Sequence, residues 1–208
     1  MSETQYLGTL FTVSAPSGAG KTTLVKEWLA QDIELVVSVS YTTRSQRDGE
    51  VDGENYHFVT HDEFEKMIQD DAFFEYAEVF NNYYGSAKSS VFDQLKQGLD
   101  VVLEIDWQGA QQVKEAHPET VSIFILPPSY EELEERLTSR GREQRDEIGY
   151  RLEQAKEEMA HYAKADYLII NDHFELALSE LCTIHQTQQL RTSVQEKKHK
   201  ELIQGLLE

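Results

Sequence analysis

Cysteine is almost missing from this chain: Cys182 is the only one in 208 residues. A lone thiol excludes an internal disulfide and suits a reducing compartment, which points to a cytoplasmic protein. Its place beside Leu181 on an amphipathic run predicts a buried, structural thiol. Long apolar runs are missing as well. None approaches the ~20 residues needed to cross a bilayer, and the short acidic start, residues 1–5, is not built as a signal peptide. Positive charge is scarce, with 19 Lys and Arg against 38 Asp and Glu and a formal net charge of −19. This balance argues against a nucleic-acid binder, which needs a basic face, although an acidic surface leaves room for self-association into a homo-oligomer. It does not argue against nucleotide binding, which requires only a few local cations. Internal repeats, low-complexity tracts and long linkers are absent. The seven histidines form no metal-binding pattern. His57 and His61 are four apart, but they fall on a strand-like run and just past a helix cap and would not share a face. With 39% hydrophobic residues and a mean hydropathy of −0.55, the chain can bury a core. Its length suits one α/β domain with small insertions.

What is present begins at residues 10–14, an apolar β-branched run followed by Ala15-Pro16-Ser17-Gly18-Ala19-Gly20-Lys21-Thr22-Thr23 and then apolar residues at helical spacing. Strand, glycine turn and helix in that order form a P-loop. Gly18 and Gly20 allow successive backbone N–H groups to turn inward and cradle a polyphosphate at a helix N-terminus. Lys21 supplies a point charge for the β- and γ-phosphates, and the Thr22 hydroxyl is a ligand for Mg²⁺. Ala15 stands where a first glycine is usual and fits if its φ is negative. The chain handles a nucleoside triphosphate.

Further along, residues 35–40, 101–106, 121–126 and 167–170 read as buried strands, the third stopped by Pro127 and Pro128. Helical patterns alternate with them, so the expected fold is α/β: a P-loop core whose mostly parallel sheet is covered by helices on both faces. Residues 41–86 change character, rich in Gly, Tyr, Thr and charge. Thr60 and Glu63 form a capping box that opens a short helix through Phe64, Met67 and Ile68. A closing helix carries Phe174, Leu178, Leu181 and Ile184 on one face, and residues 191–200 read as a polar, solvated helix end. The boundaries are 1–40 for the core with the P-loop, 41–87 for an insertion, 88–135 for core, 136–156 for a lid, and 157–208 for core and C-terminal helix. Ser14, Ser40, Asp106 and Asn171 follow or close strands, and should gather at the carboxyl edge of the sheet, where such sheets bind ligands.

Two charged clusters lie outside the P-loop. Arg44 and Arg47, with Glu50 and Tyr56 nearby, occupy a stretch without helical period and suit a bidentate grip on one phosphate. Arg136, Arg140, Arg142, Arg145 and Arg151 are dense enough to repel one another unless an anion passes between them. In a P-loop protein that anion is the transferring phosphoryl group, so this segment reads as a closing lid. A helix face neutralised by Glu143, Asp146 and Glu147 accounts for Arg142 and Arg145. Trp107 reads as packing, and the glutamate run at 131–135 as a solvated helix face.

With these residues in place the sequence resembles the guanylate kinase family, closely its bacterial members. The matching stretches are residues 15–22, 38–44, 49–50, 82–86, 105–109, 123–128, 140–141 and 170–172, in family order from about residue 7 to residue 185. The resemblance implies transfer of the γ-phosphoryl of ATP to GMP, and to dGMP, with Mg²⁺ as cofactor. It implies that Arg44, Arg47, Tyr56 and Tyr84 hold the GMP phosphate, that Glu50 belongs to the same GMP site, and that Ser40, Glu75, Ser86 and Asp106 read guanine. Arg136, Arg140 and Arg151 resemble lid and phosphate-clamp arginines, with Arg151 also reaching GMP, and Asn171 resembles an adenine contact. Lys21, Arg44, Arg140 and Arg151 would be the catalytic cations, and Glu104 or Asp106 could reach the metal through water. The chemistry of the base agrees, because guanine presents adjacent N–H donors that carboxylates accept and adenine lacks the N1–H.

This chain departs from the family pattern at Gln46, where many relatives have proline, at Glu104, where aspartate is expected, and at Asp172-His173. Two other readings remain open at this stage. One is a P-loop kinase acting on a phosphorylated ribose such as ribose 1,5-bisphosphate. The other is a guanylate-kinase-like scaffold module that binds peptides without turnover, although such modules typically lack the intact phosphate loop seen here.

Overall fold

The computed structural model describes residues 8–79, 81–139 and 145–208. In chain order the elements are β1 (Leu10–Ser14), α1 (Lys21–Leu29), β2 (Leu35–Val37), β3 (Tyr41–Thr42), β4 (His57–Phe58), α2 (His61–Gln69), β5 (Phe73–Val79) and β6 (Asn82–Ala87). Then come α3 (Lys88–Lys96), β7 (Asp100–Glu104), α4 (Trp107–Ala116), β8 (Val121–Leu126), α5 (Tyr130–Ser139) and α6 (Arg145–Met159). The chain finishes with β9 (Tyr167–Ile170), α7 (Phe174–Gln189), α8 (Thr192–Lys198) and α9 (Lys200–Leu207).

Five strands form one parallel sheet in the order β2-β7-β1-β8-β9. All five residues of central β1 are buried, because helices cover both faces and the strand has no solvent side. On one face Phe11, Val13, Ile123 and Ile125 meet Trp28 of α1 and Leu181 of α7. On the other, Leu10, Val101 and Leu103 meet Val91 and Leu95 of α3 and Val113 of α4. Alternation along β1 therefore deals successive side chains to two separate cores.

Residues 41–87 build a second sheet, β4-β3-β6-β5, joined by antiparallel and parallel pairings. It has its own small core, in which Phe64 of α2 stacks on Phe73 at 4.4 Å and on Tyr83 at 5.2 Å. The capping box of α2 is formed on both sides: Glu63 N–H donates to the Thr60 hydroxyl at 3.2 Å, and Thr60 N–H donates to the Glu63 carboxylate at 2.8 Å. A further cluster of Leu133, Leu137, Leu152 and Ala155 zips α5 to α6.

Several sequence expectations shift in detail. The strand expected over 35–40 stops at Val37 and lies at the sheet edge, because the chain turns there to enter the second sheet. The strand expected to end at Asp106 ends at Glu104, since Asp106 becomes the N-cap of α4. β9 is also an edge strand, with Leu168 and Ile170 exposed and Ile169 buried. The polar tail is folded into α8 and α9. Cys182 is partly buried against the α1–α7 core, and burial raises its thiol pKa.

Candidate active site

The loop between β1 and α1 takes up a phosphate-cradling shape. Gly18 and Gly20 have φ of 91° and 89°, the left-handed region that disfavours side chains. Gly20 has a second constraint, since a Cβ there would lie 2.5 Å from Nδ2 of Asn171. Ala15 is not among the described non-glycine residues of positive φ, so the missing first glycine costs the loop nothing. Pro16 is buried, and Thr23 lies exposed on α1. Lys21 folds back beneath the loop, where its ammonium donates to the Ile105 carbonyl at 3.3 Å and stands 3.9 Å from Glu104. Burial lowers its pKa, opposed by the nearby carboxylates of Glu104, Asp106, Glu158 and Glu75. The Thr22 hydroxyl donates to Oε1 of Glu104 at 2.5 Å. The longer side chain at position 104 thus spans the gap to the P-loop threonine.

The loop is buttressed from behind. The Asn171 side-chain amide donates to the Ala19 carbonyl at 2.7 Å. Arg136 lies over the same point, reaching the Ala19 carbonyl at 3.5 Å and the Asn171 carbonyl at 3.2 Å, with its Nε held by Glu132 at 2.9 Å. On the opposite side Arg151 donates to the Ser17 hydroxyl at 2.7 Å, while Ser17 N–H donates to Glu158 at 3.2 Å. Burial raises the pKa of Glu158. This glutamate was not singled out from sequence; the available signal was its position seven residues after Arg151, two turns along the same helical face. Arg140 and Arg142 lie outside the described residues.

The second sheet carries the other half of the site. Arg44 and Glu50 make a fork-on-fork pair, with Nη1 to Oε2 at 3.0 Å and Nη2 to Oε1 at 2.7 Å. The guanidinium lies 5.4 Å from the ring centre of Tyr56, which packs edge-on against Tyr84 at 5.9 Å. The hydrogen bond from Arg44 holds the Glu50 carboxyl below its ordinary range, and the Arg47 N–H, 2.8 Å away, adds to this. In place of the expected proline, Gln46 donates its side-chain amide to the Glu50 carbonyl, so this departure adds a tie to the loop. Ser40 is half-buried at the entry to the second sheet, its carbonyl accepting from His57 N–H.

Glu75 and Ser86 face each other across β5 and β6, and the Ser86 hydroxyl donates to Glu75 at 2.7 Å. Glu75 is only 5% exposed. Burial, countered by Ser86, lifts its pKa to about 7. Asp106 approaches from the main sheet, its Oδ1 accepting from Gly109 N–H at 2.8 Å and its carbonyl accepting from the Ser14 hydroxyl at 3.2 Å. Trp107, next in sequence, stacks on His161 with ring centres 3.4 Å apart, consistent with packing. The Asp106 and Glu75 carboxylates therefore converge near Lys21, at the junction of the two sheets.

A cation-lined P-loop facing a second sheet that has its own arginine fork and a buried carboxylate defines a P-loop phosphotransferase whose acceptor is itself phosphorylated. The family model described as guanylate kinase matches residues 8–188. Curated proteins named guanylate kinase are 52% identical in Saccharophagus degradans over 200 residues, covering 96% of this chain and 98% of the relative. The guanylate kinase of Escherichia coli K12 is 52% identical over 202 residues, with 96% and 98% covered. A crystal structure of guanylate kinase from Anaplasma phagocytophilum superposes with a TM-score of 0.73 at 34% identity, covering 91% of this chain and 90% of that one. The chain belongs to the guanylate kinase family.

Proposed function

We propose that this chain transfers the γ-phosphoryl group of ATP to GMP, giving ADP and GDP, with the P-loop as donor site and the second sheet as acceptor site. The observation that carries this reading is the buried Glu75–Ser86 pair beside Asp106. Two carboxylates, Glu75 buried and Asp106 part-buried, accept from the adjacent N1–H and amino group of guanine, and adenine would leave one of them unpaired. Arg44 and Arg47, backed by Tyr56 and Tyr84, hold the GMP phosphate. Glu50 keeps the Arg44 fork extended until that phosphate arrives. Ser40 and Ser86 are hydroxyl donors for the guanine O6.

Lys21, Arg136, Arg140 and Arg151 stabilise the charge that spreads over the transferring group. The attacking oxygen belongs to a phosphate whose second pKa is about 6, so no side chain need act as general base. Catalysis is then positioning and electrostatic stabilisation, with residues 136–156 closing to exclude water. Thr22 and Glu104, hard oxygen donors 2.5 Å apart at the P-loop, fit a Mg²⁺ ion that also needs phosphate oxygens and water. When bound, that ion neutralises charge on the β- and γ-phosphates. Asn171 contributes to the ATP site by bracing the loop at Ala19.

The test is ADP release from Mg·ATP with GMP, AMP, CMP, UMP or ribose 1,5-bisphosphate offered separately. GMP alone should support strong turnover. Turnover with ribose bisphosphate alone would overturn the guanine site, and silence with every acceptor alongside intact nucleotide binding would favour a scaffold.

A further inference from the structure

The glycines of α6 and α9, Gly149 and Gly205, have nothing within 4 Å of where a Cβ would stand, but the one in the first turn of α4 is crowded. Gly109 is the third residue of α4. It has two neighbours of consequence. Its N–H donates to Oδ1 of Asp106, the N-cap of the helix, at 2.8 Å. A Cβ built at Gly109 would lie 2.8 Å from Oε2 of Glu75, 3.2 Å from its Cδ and 3.3 Å from its Cγ. The first of these separations is closer than real side chains approach, so either Glu75 or the helix would have to shift.

Glu75 has little room to do so. Its other oxygen is tied to Ser86 at 2.7 Å, it is 5% exposed, and Phe74 beside it is anchored in the core under α3 and α4. We propose that Gly109 is a specificity-determining residue: through its N–H and its missing side chain, one position holds Asp106 and admits Glu75, setting the spacing of the two carboxylates that face the base. The inference rests on the reading of Glu75 as a guanine acceptor. Gly109 touches the carboxylates and not the base, so it acts by positioning them.

The experiment compares the wild type with Gly109→Ala, Glu75→Ala and the double variant. Steady-state kinetics with GMP and with ATP, and thermal melting without nucleotide, are measured for each. Gly109→Ala should raise KM for GMP about tenfold or more, since a hydrogen-bonding site tolerates misplacement poorly, while KM for ATP stays within about twofold. In melting, the alanine should be more favourable on the Glu75→Ala background than on the wild type, because the crowding partner is gone and only helix propensity remains. An unchanged KM for GMP, or an equal rise for both substrates, would overturn the proposal. So would an identical effect on melting in both backgrounds, a readout that does not depend on activity. Glu75→Gln separates the two layers of the argument. If it leaves GMP kinetics untouched, the guanine reading of Glu75 fails; if it weakens GMP use while Gly109→Ala does not, only the role of Gly109 fails.

Discussion

At the residue scale the site is a set of charges held in places that charge alone would not choose. Glu75 is the clearest case. Its folded pKa of about 7 lies above its ordinary value of 4.5, and burial is the main cause. A raised folded pKa means that the group favours the native state when protonated, so this contribution is full below pH 4.5 and is lost as pH rises through 7. The nucleotide-free protein should therefore lose at most about 3 kcal/mol from this group between pH 5 and pH 8. Glu75→Gln should abolish that loss, and its melting temperature relative to wild type should climb across the same interval. Equal pH slopes for the two proteins would refute the account. If this carboxyl accepts from guanine as proposed, its ionised form is the stronger acceptor for two adjacent N–H donors, so KM for GMP should fall from pH 6 to pH 8 in the wild type. On the proposed reading of Glu75, the stability given up in the empty enzyme is tied to the group that would select the base.

At the element scale, the molecule rests on two sheets with separate cores. The second sheet depends on three stacked rings, Phe73, Phe64 and Tyr83, with Phe64 fully buried at the centre. Phe64→Ala removes the central ring and should cost about 3–5 kcal/mol locally. The main sheet shares none of that cluster. GMP binding should accordingly be lost while ADP binding persists, which titration calorimetry with each nucleotide would reveal; loss of both would mean that the two sheets fold as one unit. Helix α6 is tied to two other elements by its contacts. Its Arg151 and Glu158 grip Ser17 from one face, and Leu152 and Ala155 bind it to α5.

At the scale of the whole molecule the net charge of −19 is a standing repulsion in a protein that binds polyanions. Against it stand a few concentrated cations, among them Lys21 beneath the P-loop, Arg136 and Arg151 beside it, and Arg44 on the second sheet. Self-repulsion on the remaining surface lowers stability at low ionic strength. The melting temperature should rise as NaCl is raised from about 20 mM to about 500 mM, over which the Debye length falls severalfold. A flat profile in scanning calorimetry would show that the surface charge is already locally compensated.

How much of this was legible from the chain depends on whether the signal was local. The P-loop, the α2 capping box and strand β8 are carried by neighbouring residues whose backbone preferences and periodicity speak for themselves. The likeness to the family likewise sat in short ordered motifs. Edge position was not legible, because Leu35–Val37 and Tyr167–Ile170 have the apolar character of buried strands, and only sheet order decides which strands have a free side. Nor was the role of Glu158, which depends on α6 lying against a loop about 140 residues earlier in the chain. Gly109 is the sharpest example. Sequence placed it only within a family-like motif, and the reason for a glycine there is a carboxylate that arrives from another sheet. Bond-scale preferences determine loops, caps and strands, whereas the distance between two groups remote in sequence exists only once the chain has packed.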